Sequence, residues 1–237
     1  GKSEGSAMAE IILADSTLTY YVHHGEKLLA PQNRPPVLPL VERGRLYYKP
    51  HGVAGFISPW NYPFLLSVAD MIPALIAGNT AIVKPSDLTP LSALYAAGMF
   101  ERVGLPPNVM QVITGDGDTG AALVDFVDYI SFTGSTAVGR KVAARAGERL
   151  IPCSLELGGK DAMIVLADAD LDLAATAVFM GGLENAGQTC VSIERVYVEA
   201  PIYDRFVERV RAYAPDFNVG NGGGLDVHMG SLNNLRE

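Results

Sequence analysis

Between Val53 and Ala146 the chain repeats one pattern: a short apolar run, a break at glycine, proline or a polar residue, then a longer helical stretch. The apolar runs are Val53–Ser58, Thr80–Val83, Val109–Thr114 and Tyr129–Thr133, and each predicts a strand. The stretches between them predict helices over Phe64–Ala77, Pro90–Val103, Thr119–Phe126 and Ser135–Ala146, the first ending at Gly78-Asn79 and the second at Gly104. Strands that alternate with helices are joined by right-handed crossovers and form a parallel sheet. The strands are apolar throughout, as expected where helices cover both faces. The fold class is therefore α/β, a parallel sheet with flanking helices.

Outside this region the pattern is looser. Glu4 to Leu29 predicts a helix with Ile11, Leu13, Leu18, Tyr21 and Val22 on its apolar face, ended by Pro31. Pro31–Pro39 reads as an extended connector and Arg45–Lys49 as an extended segment. Cys153–Glu156, Met163–Leu166 and Glu194–Glu199 are strand candidates. Leu171–Ala186 and Ile202–Ala214 are helix candidates, and Asn218–Glu237 is glycine-rich and mostly loop.

The 237 residues are 49% hydrophobic, enough for a sizeable core and one or two domains. A net charge of −8 argues against a nucleic-acid surface. Two cysteines are too few for a disulfide framework, so a reducing, cytoplasmic setting is expected. The longest apolar stretch, Phe64–Ile76, is broken by Ser67, Asp70 and Pro73 and is too short to span a bilayer. No basic segment followed by an apolar core marks a signal peptide at the first residues. No membrane association and no metal site are expected; His23, His24, His51 and His228 are scattered without ligand partners at suitable spacing.

Three segments follow strands at their carboxyl ends, where parallel sheets bind ligands. Phe132-Thr133-Gly134-Ser135 makes a tight turn into a helix whose first N–H groups suit a phosphate, although a plain helix cap explains an isolated match equally well. Lys84 could bond ribose hydroxyls or a phosphate. Asp87 could accept from a ribose 2′-hydroxyl and would repel a 2′-phosphate; a solvated lysine and a turn aspartate are the plain alternatives. Pro59-Trp60-Asn61-Tyr62-Pro63 is stiff, and its Asn61 amide could hold an oxyanion or simply satisfy turn backbone, with Trp60 packing in the core.

Two further segments carry reactive groups. Cys190 follows Gly187-Gln188-Thr189 just after a predicted helix, where the helix dipole disfavours a thiolate, so its activation must come from elsewhere. Cys153 reads as an inert core thiol. Glu156 precedes Leu157-Gly158-Gly159-Lys160. It is either a base with a raised pKa among apolar neighbours or an ion-pair partner of Lys160. A thiol nucleophile and a separate carboxylate base together suffice for covalent catalysis.

In order and spacing, Pro59-Trp60-Asn61-Tyr62-Pro63, Lys84-Pro85-Ser86, Phe132-Thr133-Gly134-Ser135-Thr136, Glu156-Leu157-Gly158-Gly159-Lys160 and Gly187-Gln188-Thr189-Cys190 resemble the NAD(P)-dependent aldehyde dehydrogenase superfamily. The resemblance runs from about Leu13 to Leu232. It implies a Rossmann-like cofactor domain over 1–157 and the first part of an α/β catalytic domain over 158–237. Cys190 would attack the aldehyde, Asn61 and the Cys190 N–H would hold the oxyanion, hydride would pass to NAD, and Glu156 would activate the water that hydrolyses the thioester. Lys84 and Asp87 would bind the adenosine ribose and Ser135 a phosphate, with Ser58, Trp60, Gly134, Leu157 and Gly158 also in the cofactor site. Asp87 replaces a more common Glu, which leaves NADP use open, and Ala137 replaces a common acid. A homodimer or homotetramer is implied for the full-length protein. Family members run to about twice this length, so the chain reads as an internal piece, expected to be poorly soluble or inactive alone. Residues 184–195 are similar to the succinate-semialdehyde branch. A CoA-acylating enzyme and a non-catalytic nucleotide-binding protein are the competing readings; Glu156 argues against the first, and the joint presence of Cys190, Glu156, Asn61 and Lys84 against the second.

Overall fold

The computed structural model describes residues 2–38, 40–221 and 223–234. Pro39 of the expected connector, and Gly222, Leu235, Arg236 and Glu237 of the expected tail, lie outside them. In chain order the elements are α1 (Glu4–Leu29), β1 (Gln32–Arg34), β2 (Gly44–Leu46), β3 (Val53–Ile57), α2 (Leu65–Val68), α3 (Met71–Ile76), β4 (Thr80–Lys84), α4 (Pro90–Arg102), β5 (Met110–Val112), α5 (Gly117–Leu123), β6 (Tyr129–Gly134), α6 (Thr136–Glu148), β7 (Cys153–Leu157), β8 (Asp161–Val165), α7 (Leu171–Leu183), β9 (Ile193–Val198) and α8 (Tyr203–Tyr213). Contacts divide the chain into two compact units, residues 11–156 and residues 1–10 with 157–237.

The first unit is built on a sheet in the order β5-β4-β3-β6-β7. β3 pairs in parallel with both β4 and β6, and β4 with β5, the pairing expected of strands joined by helical crossovers. Ala54 and Phe56 of β3, Ala81 and Val83 of β4, and Val68, Met71 and Ile72 of the helices between them form one buried cluster, with Tyr21 of α1 against it. Met71, Val83 and Ile130 are fully buried, and each such side chain contributes about 1.5–3 kcal/mol. Helix starts follow the sequence: the Asp116 carboxylate accepts from the Asp118 and Thr119 N–H groups, and Ser135 Oγ accepts from the Val138 N–H. Gly78 ends α3 at φ 87°, a left-handed conformation that glycine adopts without strain.

Gly55 lies at the centre of the sheet, where a Cβ would sit 2.9 Å from Ile130 Cδ1 and 3.0 Å from Val127 Cγ1. Gly55→Ala is therefore expected to destabilise the protein by about 1–3 kcal/mol through overpacking, read as a lower urea midpoint at unchanged slope.

The second unit has a parallel pair, β8 and β9, covered by α7 and α8. Val165, Ala174, Ile202 and Phe206 form its core. Asp170 caps α7 by accepting from the Asp172 and Leu173 N–H groups.

Several expectations are corrected. The helix over Phe64–Ala77 is two short ones; Ala69 and Asp70 keep helical angles, but Pro73 has no N–H to give the Ala69 carbonyl, and the ladder is interrupted. The helix expected to run to Ala186 stops at Leu183, because Asn185 (φ 51°) and Ala186 (φ 61°) turn left-handed. Cys153, at the start of the edge strand β7, is exposed rather than a core thiol. Part of the connector, Gln32–Arg34, pairs antiparallel with β2; three polar residues give no periodic signal from which to read a strand.

Candidate active site

Strand ends of the first unit converge on a cavity of about 580 Å³. Ser58 and Trp60 reach it from beyond β3, Lys84 and Asp87 from the end of β4, and Gly134 and Ser135 from the β6–α6 turn. Six of the eight residues assigned to cofactor binding thus share one cavity at the carboxyl ends of parallel strands. The backbone fixes this: the Ser58 N–H donates to the Lys84 carbonyl at 3.1 Å, and the Ser58 and Ser67 hydroxyls bond at 2.8 Å. The first turn of α6 carries no acidic residue, which leaves its positive end available to an anion.

Lys84 is not a solvated loop charge. It is the last residue of β4 and only 5% exposed. Among the described residues its ammonium has no ion-pair partner. Burial pushes its pKa below the ordinary lysine range, and the charges of Asp87 and Asp116 partly offset this. A buried cation facing a cavity without a bonded anion is the donor that a dinucleotide's ribose or phosphate oxygens require. The residues therefore fit a dinucleotide. Asp116, Lys141 and Arg145 were not singled out in the sequence, although Lys141 and Arg145 line this cavity. Arg145 is committed to Asp125 and Glu148, at 2.6 and 2.7 Å.

Glu156 faces a different cavity, of about 380 Å³. Alternation along the strands sends Ala54 and Phe56 of β3, Tyr129 and Ser131 of β6, and Ser154 and Glu156 of β7 to its side of the sheet. Asp70, at the α2–α3 junction, lines it too. Lys160, the other partner considered for Glu156, instead bonds Glu194. Asn61 lies half-buried in the segment between β3 and α2, and Leu157 and Gly158 end β7 and begin the loop to β8.

Cys190 is a free, exposed thiol in a turn between α7 and β9. The turn is tied down from several sides. The Gln188 side-chain amide donates to the Asn185 carbonyl at 2.8 Å, and its oxygen accepts from the Asn233 N–H at 2.8 Å. The Thr189 N–H reaches the Gly187 carbonyl at 2.9 Å, and Ser192 Oγ the Gly182 carbonyl at 3.1 Å. Left-handed Asn185 and Ala186 carry backbone strain of order 1–3 kcal/mol, which these bonds hold in place. With α7 ending at Leu183, six residues separate that helix end from the thiol, and the dipole argument against a thiolate weakens.

The described residues contain no group of three or more His, Cys, Asp or Glu placed to hold a metal ion, and no helix long and apolar enough to cross a membrane.

The aldehyde dehydrogenase family profile matches residues 1–237. By sequence, the chain is 42% identical over 233 residues to the Mycobacterium bovis protein named "Putative succinate-semialdehyde dehydrogenase (NADP(+)) 2", covering 98% of this chain and 45% of that one. By structure, it matches the succinate-semialdehyde dehydrogenase from Burkholderia pseudomallei with a TM-score of 0.94 and 36% identity, over 100% of this chain and 49% of that one. It matches a Mycobacterium tuberculosis aldehyde dehydrogenase complexed with NAD+ with a TM-score of 0.93 and 35% identity, over 99% and 48%. The chain spans about half the length of the curated relatives it matches.

Proposed function

Because the chain belongs to the aldehyde dehydrogenase family, we propose that it carries the cofactor cavity, nucleophile and base of an enzyme that oxidises an aldehyde to a carboxylate with NAD. The observation that carries this reading is the convergence of Ser58, Trp60, Lys84, Asp87, Gly134 and Ser135 on one cavity, with the Lys84 charge buried and unpaired there.

When bound, the dinucleotide supplies a hydride acceptor with a positively charged ring. Lys84 donates to ribose or phosphate oxygens, Asp87 accepts from a ribose hydroxyl, and the start of α6 at Ser135 faces a phosphate. Leu157 and Gly158 complete the cofactor contacts. The Cys190 sulfur attacks the carbonyl carbon; the C–S bond forms as the carbonyl π pair moves to oxygen, and Asn61 donates to that oxyanion. Oxidation leaves a thioester on Cys190. Glu156 takes a proton from water as the water oxygen adds to the thioester carbon, and the C–S bond breaks to release the thiolate and the carboxylic acid, which loses its remaining proton to solvent.

Asp87 supports NAD, since its carboxylate repels a 2′-phosphate, whereas the Mycobacterium bovis relative carries NADP(+) in its name. The ratio of kcat/KM for the two cofactors decides between them. The relatives' names support a short aldehyde bearing a carboxylate at its other end, succinate semialdehyde, as the substrate. A steady-state screen of aldehydes with the full-length protein tests this; a preference for long apolar or aromatic aldehydes would overturn it. The exposed apolar residues of α4, including Leu91, Leu94, Tyr95 and Met99, support a homodimer or homotetramer. A thiol nucleophile supports a reducing compartment such as the cytoplasm.

Lys84→Met in the full-length protein is expected to weaken NAD binding by about 10- to 150-fold, the value of one charge-assisted hydrogen bond of about 1.5–3 kcal/mol. The pH dependence has a definite sign. Lys84 loses its proton as pH rises through a value below the ordinary lysine range. NAD affinity therefore falls on the alkaline side earlier than an exposed lysine would cause, and that limb disappears in the variant. Titration of NAD by calorimetry across pH measures both; equal affinities for the two proteins would remove Lys84 from the cofactor site.

A further inference from the structure

Ser67 breaks the apolar run Phe64–Ile76. It lies in α2 and is 1% exposed. A buried hydroxyl left without a partner costs free energy, so both of its roles, donor and acceptor, have to be accounted for. Its Oγ bonds Ser58 Oγ at 2.8 Å, the ordinary length of a good O–H···O bond. Among the described residues neither hydroxyl makes another hydrogen bond. Each hydroxyl carries one hydrogen, and a single bond between them uses only one of the two.

Burial decides which one is used. Ser67 is sealed from solvent, and Ser58 is the acceptor within its reach, so the Ser67 hydrogen goes to Ser58. Of the pair, only Ser58 lines the cavity that also holds Lys84. The Ser58 hydrogen is therefore left for that cavity. Ser58 directly follows β3, Ile57 stands opposite Lys84 in the sheet register, and the Ser58 N–H donates to the Lys84 carbonyl at 3.1 Å. The two side chains thus start from neighbouring strand ends. A hydroxyl that accepts a hydrogen bond becomes a stronger donor to its next partner.

We propose that Ser67 orients the Ser58 hydroxyl as a donor to an oxygen of the dinucleotide, beside the oxygen that Lys84 takes. This rests on the reading of the cavity as the cofactor site. Ser58 touches the cofactor, whereas Ser67 acts through Ser58 and is a positioning residue. Without the Ser67 hydroxyl, Ser58 keeps its own O–H but loses the bond that fixes its rotation and strengthens it as a donor.

The test uses the full-length protein, with NAD titrated by calorimetry. Ser67→Ala is expected to raise the Kd for NAD about 2- to 10-fold, the range of one neutral hydrogen bond. The aldehyde KM at saturating NAD and the rate of Cys190 alkylation without NAD should stay at their wild-type values, which general damage to the fold would not allow. Ser58→Ala should weaken NAD binding in the same range. Adding Ser67→Ala to Ser58→Ala should then cost no further affinity, because the hydroxyl through which Ser67 acts is gone. Unchanged NAD affinity in Ser67→Ala, as a purely structural bond would give, overturns the proposal, and so does full additivity of the two substitutions. If Ser67→Ala does not fold, Ser58→Ala decides: affinity equal to wild type overturns the proposal. Lys84→Met separates this proposal from the reading on which it rests. If Lys84→Met and Ser67→Ala both leave NAD binding intact, the cofactor-site reading itself fails; if only Ser67→Ala leaves it intact, the Ser67 role alone fails.

Discussion

Cys190→Ala in the full-length protein is expected to reduce aldehyde oxidation by roughly 10⁴-fold or more, the loss typical of removing a covalent nucleophile. The other cysteine of the sequence, Cys153, is exposed at the start of edge strand β7. NAD binding should be retained, since the candidate cofactor cavity is formed by residues 57–145. Stopped-flow NADH formation and NAD calorimetry separate the two effects. An NADH burst of wild-type size in the alanine variant would rule out Cys190 as the nucleophile. Exposure also makes the thiol alkylable, and iodoacetamide labelling with mass analysis should find Cys190 modified with loss of activity. Cys153 is exposed too, so Cys153→Ala is the needed control: its activity should remain, and remain sensitive to iodoacetamide.

Glu156→Gln is expected to act on the other half of the cycle. The amide cannot take a proton from water, so the thioester should accumulate, with a steady-state rate lower by about 10²- to 10⁴-fold and a preserved NADH burst. Intact-mass measurement of the quenched variant should show the acyl adduct on the chain. Loss of the burst as well would assign Glu156 to an earlier step. Hydroxylamine, a nucleophile that needs no general base, should release the acyl group and restore turnover. The same variant tests the CoA-acylating alternative: CoA-dependent turnover that survives Glu156→Gln would favour it.

Much of the fold was legible because its signals are local. The caps at Asp116, Ser135 and Asp170, the glycine stop at Gly78 and the apolar strands from Val53 to Thr133 each depend on a few neighbours in the chain. Errors arose where the deciding contact was distant or the segment short. Pro73 interrupts a helix whose angles continue through it, and β1 is recognised only through its pairing with β2. Cys153 looked like a core residue because thiols are often buried, but its exposure follows from the edge position of β7.

The candidate site divides in the same way. Strand ends pointed to Lys84, Asp87 and the Gly134-Ser135 turn in the sequence, since a ligand site beyond parallel strands is a property of the element order, whereas Ser58 and Trp60 entered only through the family resemblance. Asp70 carried one faint signal, an acid inside an apolar run, and nothing in its neighbours linked it to Glu156. The sequence by itself determined which groups this protein can use: one thiol after a glycine turn, one carboxylate before a glycine pair, one lysine at a strand end. Tertiary structure alone decided that Lys84 is buried and unpaired, that Glu156 faces the side of the sheet occupied by Asp70, and that Lys160 belongs to Glu194. The reason is physical: identity and local conformation are set within a few residues, whereas burial and proximity depend on strand order and register, which are fixed by the pairing of β3, β4, β6 and β7 across more than a hundred residues of chain.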